Sequence, residues 1–196
     1  MKLGKTLYVN DRKKWHSWLL KHHKIESEIW LIYYYKGTGK PRISYDDAVM
    51  EALCYGWIDS IFKKIDKERF AQRFSPRKPK SELSQMNKER IRELIKEKKM
   101  TKWGMKAIAH AFNEKIDETA NFVIPSDILK KLKANKSAWK YFQKMPPSYQ
   151  RIRIIYIETR RRQGMDMYEK SLAHFIKMTA ENKRVGFVRE RRDVVE

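Results

Sequence analysis

Asp59 and three arginines lie in a stretch where aromatic and basic residues alternate, "GWIDSIFKKIDKERFAQRFSPRKPKS" (residues 56–81). The guanidinium groups of Arg69, Arg73 and Arg77 each present a fork of hydrogen-bond donors, which fits a phosphate or a carboxylate. Asp59 is placed to orient one of them. The stretch therefore predicts an anion site. The alternative is an internal ion pair between Asp59 and one arginine that holds the strands together.

The elements that would position these residues are a β-hairpin and the helix after it. The spacing of residues 57–76 predicts two strands joined by a turn at "DKE", with Arg69 and Arg73 on one face of the second strand. Prolines then end the strand, and Ser84 and Asn87 begin a helix whose positive dipole end favours anions. The predicted ligand-binding set is Asp59, Arg69, Arg73, Arg77, Ser84 and Asn87.

Other motifs predict structure rather than chemistry. "GTGK" (residues 37–40) is followed by Pro41 and does not fit a phosphate-binding loop, so we expect a turn. Cys54 lies between apolar residues of a predicted helix, where a thiol behaves as a small apolar group. The five histidines have no metal-ligand spacing. We expect no metal and no cofactor.

The pattern of elements predicts an α+β fold: a small N-terminal sheet with a hairpin packed by helices, followed by a small all-helical C-terminal module. Residues 28–37, "EIWLIYYYKG", predict a central strand, while Asn10 and Ser44 are expected to cap helices. Helices are expected at 127–135, 136–144 and 148–162. The expected domains are residues 1–118 and 119–182, followed by a mixed-charge tail at 183–196.

The basic charge is concentrated in two zones. The formal net charge is +21 over 196 residues, and residues 63–102 carry a net +9 while residues 130–162 carry a net +10. Such fields attract polyanions, so the partner is expected to be an anionic ligand, including nucleic acid. The alternative is that lysine-rich helices only keep the protein soluble. No helix-turn-helix or RNA-binding signature accompanies the charge.

Cysteine content and hydropathy bear on where the protein acts. There is one cysteine, no apolar signal segment at the N-terminus and no run of about 18 apolar residues. We expect a cytoplasmic protein without a transmembrane segment. The oligomeric state is not predicted.

Several stretches resemble the YdeI/OmpD-associated family, also called bacteriocin-protection proteins. "YYYKGTGKPRISYDDAVMEALCYGWIDS", "ERFAQRFSPRKPKS" and "NKERIRELIKEKKMTKWG" carry the resemblance over residues 8–110. A second match, "VIPSDILKKLKANKSAWKYFQKMPPSYQRIRIIYIE", is similar to the family's C-terminal helical module. The resemblance implies a cytoplasmic protein linked to envelope stress or to tolerance of antimicrobial peptides, and it assigns no catalytic residue.

The family pattern falls on residues of the predicted anion site and their neighbours. The matching residues are Gly56, Trp57, Asp59, Ser60, Arg73, Phe74, Pro76, Arg77, Ser84 and Asn87. The chain departs from the pattern at Leu83, where the family has a tryptophan, and in "TRRRQGMDMYEK" near the C-terminus.

Three functional hypotheses follow from the sequence. The first is a non-enzymatic basic protein that binds an anionic partner through the hairpin arginines and the basic helices. The second is an enzyme that acts on a small anionic metabolite in a cleft beside the hairpin, with Asp59 as base or orienting group. The third is an adaptor whose basic zones bind nothing specific.

Overall fold

The N-terminal half of the chain forms a four-stranded mixed sheet with helices packed against it. A computed structural model describes residues 3–113 and 122–186. The strands are β1 (Thr6–Tyr8), β2 (Ile29–Tyr34), β3 (Trp57–Lys64) and β4 (Arg69–Pro76). Their order is β1-β2-β4-β3, in which β1 and β2 are parallel and the other neighbours are antiparallel. The expected central strand is confirmed as β2, because its apolar side chains on both faces suit a strand with neighbours on each side.

Four helices belong to this half of the sequence. They are α1 (Arg12–His22), α2 (Tyr45–Cys54), α3 (Gln85–Lys96) and α4 (Lys102–Ile108). Ser44 caps α2 as expected, since its hydroxyl accepts the N–H of Asp47 at 3.0 Å. The cap expected at Asn10 was wrong. Helix α1 begins one residue later, and the Asp11 carboxylate accepts the N–H of Lys14 at 2.8 Å, as a good N-cap residue does.

The apolar core of this half lies between one face of the sheet and its helices. Ile29, Leu31 and Tyr33 alternate along β2 on this face, and Phe74 of β4 lies opposite Ile29. Trp15 of α1 packs edge-on against Phe74, with ring centroids 5.5 Å apart. The face that holds Phe74 is therefore the helix-covered face of the sheet.

Between residues 122 and 186 the C-terminal half contains four helices with their own core. They are α5 (Ser126–Ala134), α6 (Lys136–Phe142), α7 (Pro147–Gln163) and α8 (Met165–Ala180). Their buried residues repeat at helical spacing, for example Ile128 and Leu132 on α5 and Leu172 and Phe175 on α8. Together with the sheet of the first half, these helices confirm the predicted α+β fold class.

The chain divides into two compact units. The first comprises Met1–Leu83 and Arg90–Glu114, and the second comprises Ser84–Glu89 and Lys115–Glu196. The expected domain boundary at 118/119 lies outside the described residues, as do positions 187–196 of the expected tail. The domain limits stay a prediction.

Candidate functional site

The predicted hairpin is confirmed, and its register separates the residues of the predicted site. Strands β3 and β4 pair antiparallel, with Asp59 opposite Phe74 and a bulge between Asp59 and Phe62. Arg73 lies opposite Trp30 of β2, and Arg69 lies opposite Tyr34. Since neighbouring strand positions point to opposite faces, Asp59 lies on the helix-covered face while Arg69 and Arg73 lie on the other. The structure therefore does not bring Asp59 together with these two arginines.

Arg69 and Arg73 each have a carboxylate partner. The Arg69 Nη2 lies 2.7 Å from Asp66 Oδ2, in the turn of the hairpin. The Arg73 Nη2 lies 2.6 Å from Glu28 Oε2, and its Nε donates to the same oxygen at 2.7 Å. These hydrogen bonds lower the pKa of Asp66 and of Glu28. Much of the positive charge expected on this face is thus offset by the protein's own acids.

Asp59 contacts a tyrosine at the start of α2. Its carboxylate accepts a hydrogen bond from the Tyr45 hydroxyl, and burial together with this bond raises the pKa of Tyr45. The buried Tyr33 hydroxyl has no hydrogen-bond partner among the described residues, and burial next to Tyr45 and Asp59 raises its pKa as well. This cluster is the part of the hairpin that the small-metabolite hypothesis would use.

Arg77 differs from the other two hairpin arginines because it contacts uncharged oxygens. Its Nη2 donates to the carbonyl oxygens of Ser81, at 3.1 Å, and Glu82, at 2.7 Å. It also donates to the Ser81 hydroxyl at 3.1 Å. Partial burial lowers the pKa of Arg77. These bonds hold the loop after β4, and the guanidinium keeps its net positive charge there.

Ser84 and Asn87 lie at the start of α3, where the sequence predicts them. The Ser84 hydroxyl accepts the N–H of Asn87 at 3.3 Å, so Ser84 acts as an N-terminal cap. Both residues belong to the second compact unit, whereas Asp59 and the hairpin arginines belong to the first. That these six residues form one anion site stays a prediction.

The second basic zone forms an exposed lysine surface in the helical unit. We define this lysine surface as Lys130, Lys133, Lys136, Lys140 and Lys144, all of which are exposed. No acidic residue occurs between positions 130 and 144. Lys136 and Lys140 are four residues apart on α6, which places their charges on the same side of that helix, and Lys144 lies two residues beyond the end of α6. The surface therefore presents concentrated positive charge to solvent.

The cysteine and the glycine-containing turn have the structural roles that the sequence predicts. Cys54 is buried, its thiol donates to the Met50 carbonyl oxygen at 3.3 Å, and burial raises its pKa to about 12. Residues Lys36–Thr38 form a short 3-10 turn, as expected for "GTGK". Within residues 3–113 and 122–186, no group of His, Cys, Asp and Glu side chains could hold a metal ion.

Two buried charged residues were not predicted from the sequence. Glu51 of α2 is 5% exposed, and its carboxylate binds Arg12 Nε and His16 Nδ1, both at 2.6 Å. Arg153 of α7 is 7% exposed. The signal for Arg153 was present, because it falls midway between the apolar positions Tyr149 and Ile157 at four-residue spacing.

Comparisons with known proteins assign the two halves of the chain to two family models. Residues 121–182 match the model described as "Bacteriocin-protection, YdeI or OmpD-Associated", which confirms this resemblance for the helical module. Residues 7–107 match the model described as "Domain of unknown function (DUF8412)". No curated protein and no solved structure matches the chain. Within the described segments, no helix combines the length and the apolar character needed to cross a bilayer. Since the model of residues 7–107 covers more than half of the sequence, the chain belongs to the family described as domain of unknown function DUF8412.

Proposed function

We propose that the protein acts without catalysis, binding an anionic partner through the lysine surface, and that this binding supports a role in bacteriocin protection. The observation that carries the proposal is that positions 130 to 144 hold six exposed lysines and no acidic residue. Five of them form the lysine surface, and the sixth, Lys131, is paired with Glu169. These lysines lie inside the segment that matches the bacteriocin-protection model. The hairpin arginines are weaker candidates, because Arg69 and Arg73 are already paired with Asp66 and Glu28.

The charge pattern itself supports an anionic occupant. Like charges at four-residue spacing on a helix cost about 0.2–0.5 kcal/mol per pair. Lys136 and Lys140 form such a pair on α6. An anionic partner would offset the repulsion, and the released counterions would favour binding.

The same charge indicates what the partner is not. Bacteriocins and other antimicrobial peptides that carry net positive charge would be repelled by this surface. Protection through the lysine surface is therefore indirect and operates through an anionic cellular component. The two sources of such charge are nucleic acid and the headgroups of an anionic lipid surface.

The test is a salt series on the full chain with three probes: a short single strand, a duplex of the same sequence, and vesicles containing an anionic lipid. The variant Lys130→Gln/Lys133→Gln/Lys136→Gln removes three charges from the lysine surface. The matched control Lys13→Gln/Lys21→Gln/Lys67→Gln removes three exposed charges from the first unit. We expect the first variant alone to weaken binding of one probe at near-physiological salt.

The dependence of the binding constant on salt concentration distinguishes the two variants better than the affinity at one salt concentration does. For each duplex phosphate that the protein no longer neutralises, the slope of log K against log salt becomes shallower by about 0.9. If the lysine surface binds duplex, the slope falls by about 2–3 in the first variant and stays unchanged in the control. Equal losses in both variants, or no binding of any probe at physiological salt, would contradict the proposal.

A further inference from the structure

Arg153 places a positive charge inside the helical unit without a carboxylate partner. It lies on α7 between Tyr149 and Ile157 in the inward-facing stripe, and 93% of its surface is buried. Across residues 3–113 and 122–186, no side chain forms a hydrogen bond or an ion pair with it, and its Nε is sealed from solvent without a partner. Such an arrangement is costly, because a buried charge without a counter-charge loses its hydration and gains no ion pair in return.

Aromatic rings line the surroundings of this guanidinium. It lies over the Tyr156 ring at 4.6 Å and near the Phe175 ring at 6.0 Å, where the ring faces offer a partial negative charge. Gly186 lies next to the guanidinium of Arg153, since a Cβ atom added at Gly186 would lie 2.7 Å from Arg153 Nη1. Burial lowers the pKa of Arg153, but an arginine remains protonated at neutral pH. The charge is therefore retained.

The terminal nitrogens of Arg153 are the part of its guanidinium that solvent can reach. Arg153 Nε is sealed from solvent and has no partner, whereas Nη1 and Nη2 are not among the sealed atoms. They are therefore the donors available to an anion from solvent. One helical turn beyond Phe175, α8 also carries Thr179, whose buried hydroxyl has no partner among the described residues.

Two further arginines surround the same tyrosines. The Arg160 Nε donates to the Tyr156 hydroxyl at 2.9 Å, and the Arg184 guanidinium lies over the Tyr149 ring at 5.6 Å. Tyr149 in turn accepts the N–H of Val185 at 2.8 Å, which keeps the chain before Gly186 against α7. Arg153 and Arg160 both lie against the Tyr156 ring, and two positive charges at one ring favour a doubly charged anion over a single carboxylate.

We propose that Arg153 forms the floor of a binding site for a phosphate group, with its guanidinium fork as the principal donor. This site goes beyond the lysine surface and does not rest on it. The phosphate is either free inorganic phosphate or the terminal phosphate of a monoester. A bound phosphate supplies the counter-charge that the protein does not provide, which is the physical reason for the affinity.

The experiment observes the arginine Nε–H resonances of the full ¹⁵N-labelled chain while inorganic phosphate is added at constant ionic strength, with chloride as the balancing anion. The Arg153 resonance is identified by its absence in Arg153→Met. We expect it to shift saturably with phosphate, and calorimetry to give about tenfold or greater loss of affinity in Arg153→Met, since a hydrogen bond between charged groups is lost. The variant is expected to fold, because an apolar side chain in place of an unpaired buried charge is often neutral or stabilising.

Arg162→Met is the matched control, because Arg162 is exposed on the same helix. It should keep the phosphate response, as should the Lys130→Gln/Lys133→Gln/Lys136→Gln variant, so that failure of this site and failure of the lysine surface are distinguishable. A phosphomonoester tested in parallel separates the two phosphate sources. An unmoved Arg153 resonance in the parent protein, an equal shift with acetate, or an equal loss in Arg162→Met would overturn the proposal. If Arg153→Met does not fold, Arg153→Lys identifies the resonance instead, because it also removes the guanidinium Nε–H while it keeps the positive charge.

Discussion

Arg69, Arg73 and Arg77 occur at four-residue spacing, but they differ in what each guanidinium contacts. Arg69 binds a carboxylate in its own turn, Arg73 binds Glu28, and Arg77 binds carbonyl oxygens. A guanidinium already paired with an acid must lose that partner before it binds a ligand anion, which reduces the net gain. Arg77 and Arg153 contact no carboxylate among the described residues, so of these four arginines they keep the most charge for a ligand.

Asp127, on α5, allows a direct test of how much an ion pair stabilises the helical unit. Its carboxylate accepts hydrogen bonds from Arg161 Nη2 and from the Tyr168 hydroxyl, both at 2.6 Å. These bonds lower the pKa of Asp127 to about 2. The unfolded chain has a pKa of about 3.9 at such a residue, so it binds more protons than the folded chain between these two values.

The contribution of Asp127 to stability is therefore fully present above about pH 4–5 and is lost as the pH falls through the folded pKa of about 2. We expect Asp127→Asn to lower the free energy of unfolding by about 1 kcal/mol at neutral pH, the upper end for a partly exposed pair. The difference from the parent should shrink as the pH is lowered. Urea denaturation followed by circular dichroism at several pH values measures it.

Asp166→Asn is the control for this measurement, because the pair of Asp166 with Lys170 is an exposed helical pair at 2.8 Å. Such pairs contribute about 0.3–0.5 kcal/mol. A difference between Asp127→Asn and the parent that stays constant from neutral pH down to about pH 3 would show that the carboxylate charge does not carry the effect.

The sequence predicts local partners better than distant ones. Asp66 and Arg69 are three residues apart across a turn, so their pairing follows from the predicted hairpin. The pairs Glu28–Arg73 and Tyr45–Asp59 join residues that are far apart in the chain. The first pair depends on strand register, and the second depends on where α2 packs against the sheet. The spacing of residues along the chain predicts neither of these features. The alternation of residues along β4 places Arg69 and Arg73 on one face, but the sequence does not show that Asp59 lies on the other.

At the scale of elements, α4 packs closely against the end of α2 through a glycine. A Cβ atom added at Gly104 would lie 2.7 Å from the Leu53 carbonyl oxygen and would also collide with the Cys54 carbonyl oxygen. Both atoms belong to the backbone and cannot move without shifting a helix. Thr101 adds a tie between the two helices, because its hydroxyl donates to the same Cys54 oxygen.

We expect Gly104→Ala to lower the free energy of unfolding by about 1–3 kcal/mol, the usual cost of overpacking a tight contact. This exceeds the gain of up to about 1 kcal/mol that alanine brings inside a helix. Gly37→Ala is the control, because a Cβ atom at Gly37 meets nothing within 4 Å. Chemical denaturation of both variants measures the effect. A Gly104→Ala variant as stable as Gly37→Ala would mean that α4 can move away from α2 at little cost.

Element types and most boundaries followed from the sequence, because the periodicity is strong. Helices expected at 127–135, 136–144 and 148–162 occur at Ser126–Ala134, Lys136–Phe142 and Pro147–Gln163. The parallel pairing of β1 with β2 joins strands on either side of α1, so it depends on a crossover and not on a local turn. Pairing of distant strands depends on packing that a single sequence does not display.

At the scale of the whole molecule, the net charge of +21 sets up self-repulsion in the folded state. The excess lies in two zones, residues 63–102 and 130–162, with net charges of +9 and +10. Acids within the structure offset part of the first zone, as at Asp66 and Arg69. The lysine surface in the second zone has no acidic residue within its own run. Repulsion is therefore expected to be stronger there.

We expect the melting temperature to rise when sodium chloride is raised from about 20 to about 200 mM, because the Debye length shortens from roughly 20 Å to below 10 Å and screens like charges. Lys130→Gln/Lys133→Gln/Lys136→Gln should raise the melting temperature at low salt and leave it almost unchanged at high salt. Lys13→Gln/Lys21→Gln/Lys67→Gln removes the same charge from the first unit and should have a smaller effect. Differential scanning calorimetry measures all three proteins under both conditions. A melting temperature independent of salt, or equal gains in the two variants, would show that repulsion is not concentrated at the lysine surface.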